Sequence, residues 1–131
     1  MRGNNMNVYK VVRTVGKSMF SCTAMKDERV HYEIDKVAYP KVGYLFVFST
    51  FNDALNFANL EANSFCQLAI LKGTAEIIQT KIRKVASLYL NFGDFWRRRQ
   101  TGKRNYMTQS VPKGTKFAKS FKPLTIIRTG I

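Results

Sequence analysis

Hydrophobic positions fall in short runs separated by polar or glycine breaks, and the spacing within each run predicts the element it forms. VYKVVRT at 8–14 sets β-branched and aromatic residues in a run closed by Gly16, which predicts a first strand. SMFSCTA at 18–24 is placed to return on it as a hairpin arm, and the polar MKDER at 25–29 follows as a loop. VHYEI at 30–34 predicts another short strand before the break at Pro40. YLFVFS at 44–49 is a continuous apolar and aromatic run of strand length, the pattern of a strand buried on both faces. The period then changes: Phe51, Ala54, Leu55, Ala58 and Ala62 fall at helical spacing, with Thr50 in the N-cap position and Asp53 three residues later. This predicts a tight turn and one main helix over about residues 51–61.

FCQLAILKG at 65–73 and AEIIQTKIRKVA at 75–86 predict two strands joined near Gly73, although the second is compatible with a helix by composition. Past SLYLNFGDFW the aliphatic residues thin out and Gly93 and Gly102 appear, which predicts a long basic loop or an excursion from the sheet. Long loops inside a compact domain are usually functional or disordered. In VPKGTKFAKSFKPLTIIRTG, Pro112 and Gly114 predict a turn, and strands are expected at 115–121 and 124–128, split by Pro123. No internal repeat is visible. The expected fold is therefore α+β: one domain over residues 1–131, a mostly antiparallel sheet with one main helix, a scaffold core in 1–90 and a basic contact region in 91–131.

Composition supports one core: 131 residues are 45% hydrophobic and 13% aromatic. Charge changes the picture more. The formal net charge is +14 and the pI is near 10.1, which makes an anionic partner the leading inference. Its placement is uneven. Residues 1–80 hold nine Lys/Arg against seven Asp/Glu, a net of +2, whereas residues 81–131 hold thirteen against Asp94 alone, a net of +12. Cys22 and Cys66 belong to no CxxC or Cys/His cluster and are expected as reduced thiols in an intracellular setting. Lys10, Arg13 and Lys17 interrupt the N-terminal apolar runs, so neither an export signal nor a membrane span is expected.

Candidate chemistry is thin outside the basic segment. VGKS at 15–18 fails as a phosphate loop, because the position that needs the first glycine is Val11, and a hairpin turn is expected there. His31 is the only histidine and reads as a structural or surface residue. The carboxylates show no spacing that suits acid/base work, so neither catalysis nor a cofactor or metal is expected. DFWRRRQTGKRNY at 94–106 is different. Arg97, Arg98, Arg99, Lys103 and Arg104 can neutralise phosphates, and Trp96 and Tyr106 offer ring faces to an unpaired base. Lys113, Lys116, Lys119 and Lys122 follow at three-residue steps, which on an extended chain alternate between faces. The aromatic set Tyr44, Phe46, Phe48, Phe51, Phe57 and Phe65 is expected in the core and not as a base-stacking platform.

VYKVVR, YLFVFSTFNDALNFA and VPKGTKFAKSFKPL together resemble the layout of small uncharacterised phage and bacterial domains. The middle block is also similar to the strand-then-helix segment of ADP-ribosyltransferase-like folds. That resemblance implies a compact α+β fold, a phage-like origin and a location in the host-cell cytoplasm or the virion. The transferase chemistry it implies needs a late glutamate, often in an E/Q-x-E pair. No such pair exists here: Glu76, the last glutamate, is followed by IIQ, and Arg13 matches the opening basic residue only loosely.

The expected function is non-enzymatic binding of nucleic acid, DNA or RNA, or of a nucleic-acid-containing complex, mainly through phosphates. The alternative is a structural or inhibitory protein that docks on an acidic protein; a divergent transferase is the third reading. Because residues 94–108 add little aliphatic area, replacing 97–105 by a short Gly/Ser linker is expected to leave a cooperative thermal transition, measured by circular dichroism. Loss of that transition would make the segment part of the core.

Overall fold

A computed structural model describes residues 4–21, 30–41, 43–61, 67–78, 84–86, 108–110 and 114–131. The element order is β1 (Asn4–Val15), β2 (Ser18–Ser21), β3 (His31–Tyr32), β4 (Leu45–Phe48), α1 (Phe51–Glu61), β5 (Gln67–Ile77), β6 (Lys84–Ala86), β7 (Thr108–Ser110) and β8 (Thr115–Arg128). All strand pairings are antiparallel. The fold is thus mostly antiparallel sheet with a single helix among the described residues, α+β with the sheet dominant.

The main sheet runs β3-β2-β1-β4-β8-β5, and β5 also pairs with β1, so the four strands β1, β4, β8 and β5 form a closed ring. Closing a sheet removes the free edges that would otherwise recruit other strands. The β1–β5 ladder is unbroken from Asn4 opposite Ile77 to Thr14 opposite Gln67. The β1–β4 contact is much shorter, a single opposed pair, Tyr9 and Phe48. There the buried Lys10 reinforces the seam: its ammonium donates to the Phe46 carbonyl at 2.7 Å and lies 5.8 Å from the Tyr32 ring centroid.

Alternation along the strands makes two cores. Val8, Val12, Leu45, Val47, Ala69, Leu71, Ala75 and Phe121 point inward in one buried cluster. Val11, Phe48, Leu68 and Ile70 point outward and are covered by Ala54 and Ala58 of α1. Two fully buried alanines let the helix approach the sheet closely. At its start, the Thr50 hydroxyl accepts the Asp53 N–H at 3.2 Å and the Thr50 carbonyl accepts the Ala54 N–H at 3.2 Å, the N-cap read from the sequence. The aromatic set is structural where it is described: Phe48 stacks with Phe57 at 5.2 Å, Phe46 meets Phe117 edge-on at 5.2 Å, and Phe51 meets Tyr9 at 6.1 Å. Phe65, Cys22 and Cys66 lie outside the described residues.

VGKS forms the expected hairpin turn. Gly16, at φ 60°, takes the first position of the two-residue link between β1 and β2. Two expected breaks are corrected. Gly73 does not separate two strands, because Gln67–Ile77 is one strand, and that also excludes a helix from 75 to 77. Pro123 does not split the C-terminal strand, because Thr115–Arg128 is continuous. The two residues face each other across the β5–β8 ladder, where a Cβ on Gly73 would collide with the Lys122 carbonyl oxygen. Glycine is there for close approach of two backbones, and proline is tolerated because a register shift lies beside it. The β5–β8 register shifts fall at Ile70/Leu71, Lys72/Gly73 and Glu76/Ile77, each leaving an extra residue on β8. Bulges of this kind bend a strand and increase its twist, which a strand wrapping a narrow ring requires.

Three outcomes follow from this packing and from the β1–β2 turn. Gly73→Ala is expected to cost about 3 kcal/mol or more, because a backbone atom must move. Gly16→Ala, with nothing within 4 Å of the added carbon, is expected to cost only the left-handed strain of about 1–2 kcal/mol; denaturant midpoints separate the two. Burial pushes the Tyr32 phenol far above its ordinary range, and its hydroxyl has no hydrogen-bond partner among the described residues. A folded-state value above the unfolded one means that stability is complete below the ordinary tyrosine value of about 10 and falls as pH rises through it. Urea midpoints from pH 8 to 11 are expected to fall less in Tyr32→Phe than in the parent.

Candidate nucleic-acid interface

The expected contact residues fall into two groups. Trp96, Arg97, Arg98, Arg99, Lys103, Arg104, Tyr106 and Lys113 lie outside the described residues. The strands that flank the first seven are described and pair with each other: Lys84 opposite Ser110, Val85 opposite Gln109 and Ala86 opposite Thr108. The chain therefore enters and leaves residues 87–107 at adjacent positions. Downstream, Gly114 anchors the start of β8 against the head of the helix. Its carbonyl accepts the Ser49 N–H at 3.1 Å, and at φ 80° it sits so close to the Asp53 carboxylate that no side chain fits there.

Lys116, Lys119 and Lys122 are on β8, the strand that also supplies Phe117, Ala118 and Phe121 to the buried interior. Lys116 is exposed opposite Val47, whose side chain belongs to the inner cluster. Lys122 is half-buried opposite Thr74, on the outer wall. Lys119 is the extra residue of the bulge between Ala118 and Ser120 and is exposed. These lysines do not form one row. Lys122 has a cationic neighbour instead in Lys72, two positions from Thr74 on the same face of β5.

The register also assembles residues that the sequence reading did not group. Arg13 on β1 is opposite Phe20 on β2, which is opposite His31 on β3, so the three share the outer face of neighbouring strands. The Phe20 and His31 rings are 5.0 Å apart at 31°. Arg13 and Phe20 are half-buried and His31 is exposed. The Arg13 Nε is buried with no hydrogen-bond partner, and the Arg13 guanidinium has no salt bridge among the described residues. Strand alternation in VYKVVRT places Tyr9, Val11 and Arg13 on one face, which is the signal available in the sequence; the match to Phe20 and His31 needed the register.

Among the described residues, the other titratable groups whose ionisation is shifted lie outside this row. Glu33 is held below the usual carboxylate range by the hydrogen bond and charge of Lys36 at 2.7 Å, which raises Lys36 in turn. Both side chains are solvent-facing, so the pair adds little stability. Burial pushes Glu61 upward. Among the described residues no cluster of three or more His, Cys, Asp or Glu side chains is placed to hold a metal ion, and no helix is long and apolar enough to cross a membrane. Compared with protein families, curated proteins and solved structures, the chain matches none.

Proposed function

We propose that the protein binds nucleic acid without catalysis, mainly through phosphates and with little sequence preference. The observation that carries this reading is the charge asymmetry: residues 81–131 have a net +12, residues 1–80 only +2. A solvated surface needs no such concentration of one sign, whereas a polyanion rewards it by counterion release. The β6–β7 pairing is compatible with the reading, since it sets Ala86 opposite Thr108, the described residues on either side of the segment that carries Arg97, Arg98, Arg99, Lys103 and Arg104. No zinc finger or groove-reading helix is present in the sequence, so phosphate contact takes precedence over base readout. An accessory or virion-associated role in a phage fits such a protein, as does a place in the virion or the host cytoplasm. A second reading is docking on an acidic protein partner: the exposed apolar side chains Val37, Tyr39, Leu124 and Ile126 suit a protein surface, and the net +14 selects an acidic one.

Binding to duplex and single-stranded oligonucleotides at several salt concentrations tests the proposal. Each neutralised phosphate contributes a log–log slope of roughly −0.9 on duplex DNA or −0.7 on single strands, so about three to five contacts give roughly −2 to −4. Replacing Arg97, Arg98 and Arg99 together by alanine is expected to flatten that slope by about 2 and to weaken all sequences alike. Salt-independent binding, or a triple variant that binds as the parent does, would overturn it.

A further inference from the structure

We propose that an extended acidic peptide of a partner protein docks at the seam between β3 and the C-terminal half of β8, adding a strand to the Leu124–Arg128 edge and setting its apolar side chains in the cavity there. The inference rests on the protein-docking reading above, to which it adds a site and a binding mode, and it is independent of nucleic-acid binding.

Backbone pairing defines the seam. On the side of β8 away from β5, Thr115–Ala118 pair with β4. Further along, Phe121 exchanges hydrogen bonds with Ala38 at 2.8 and 3.0 Å, and the Pro123 carbonyl accepts the Asp35 N–H at 2.7 Å. Beyond Pro123 this side of the strand has no pairing among the described residues, although β5 pairs with the other side as far as Arg128. The chain that leaves β3 therefore joins β8 at Asp35 and Pro123, and past that joint the two edges part.

A cavity of about 650 Å³ fills the opening. Met19, Tyr32 and Ile34 line it from the β2–β3 side and Ile126 from the β8 side, with Ala69 of β5 also in its wall. Ile126 shows that the interior of the ring is open here. It stands opposite Leu71, whose side chain is fully buried in the inner cluster, yet it is itself 44% exposed.

The edge selects a strand as the occupant. Unpaired N–H and C=O groups along an edge are a template for another chain, and native edges are commonly guarded by charge. Leu124, Thr125, Ile126 and Ile127 are all exposed and carry none, in a chain with a net +14. A strand added there sends alternate side chains to opposite faces, so one set reaches Ile126 and the cavity while the other faces water. Charge then selects an acidic partner. Lys17, at the cavity rim, and Arg128, at the end of the edge, are exposed and have no salt bridge among the described residues. Glu33 on the facing edge is taken by Lys36 at 2.7 Å. The net +14 disfavours a second copy as occupant.

Fluorescence anisotropy of the full chain with a labelled peptide of alternating valine and glutamate, about nine residues long, tests this. A peptide with serine in place of valine is the equally charged control. The valine peptide is expected to bind about 10-fold tighter or more, with amide shifts in the labelled chain at Leu124–Arg128 and His31–Ile34. Ile126→Glu, which puts a like charge on the cavity wall, and Ile127→Pro, which puts a ring on the edge at a residue with no opposed partner on β5, are each expected to weaken it about 10-fold. Leu60→Ser, at an exposed helix position, is the control and is expected to bind as the parent. Ile126→Glu alters an exposed side chain, so it reads the site even where Ile127→Pro lowers stability. Equal affinity for the two peptides would show attraction to a basic chain alone and overturn the site. Binding unchanged in both variants, with shifts around Val37 and Tyr39 instead, would overturn this site and leave the docking reading intact. No binding of either peptide would overturn both. A parent dimer in analytical ultracentrifugation that Ile127→Pro abolishes would put a second copy on this edge and overturn the proposal.

Discussion

The pairing of β1 with β5, continuous from Asn4 and Ile77 to Thr14 and Gln67, is the constraint on which the rest of the molecule depends. Strands distant in sequence must meet along their full length before the ring can close, and closure then decides which side chains face inward. Alternation along these two strands sends Val8, Val12, Ala69 and Leu71 inside and Val11, Leu68 and Ile70 outside, where α1 needs them. A slip of one residue in this ladder would exchange the two cores. The same ladder fixes Arg13 on the outer face, and through Phe20 it fixes His31 there as well.

Closing a ring this small bends its strands, and the bend is concentrated on β8. Register shifts at three places along β5–β8, and the close approach of Gly73 to the Lys122 carbonyl, let β8 follow the curve. At the weakest seam, where β1 and β4 share one opposed pair, a buried lysine spans the gap to the Phe46 carbonyl. Lys10 thus shows a cation used for structure, with a carbonyl and a ring face as partners. Arg13 is the contrasting case: half-buried, on the outer wall, and lacking an ion-pair partner among the described residues.

Local chemistry made some elements legible in the sequence and tertiary context hid others. The helix was readable because Thr50 offers a cap and Phe51, Ala54, Leu55 and Ala58 repeat at helical spacing, and the structure places it over Phe51–Glu61. The turn at Gly16 was readable because failure of the phosphate-loop spacing left only a glycine between two strand-like runs. Gly73 and Pro123 misled because both residue types usually punctuate structure; here each answers to the other across a ladder, a relation that no local window contains. The row of Arg13, Phe20 and His31 was illegible for the same reason, since it exists only through register. The three-residue step of Lys116, Lys119 and Lys122 predicts alternation between faces of an extended chain, and on β8 the strand geometry together with one bulge does distribute them over different faces.

The central claim is the proposal that nucleic acid is held by the basic region, residues 91–131. Amide chemical-shift mapping of the labelled chain during titration with a short oligothymidylate, at low salt and again at high salt, tests it most directly. The account predicts salt-sensitive shifts at Arg97–Arg99 and little change across α1. Absence of shifts there, or shifts confined to the residues around Val37, Tyr39 and Leu124, would contradict it.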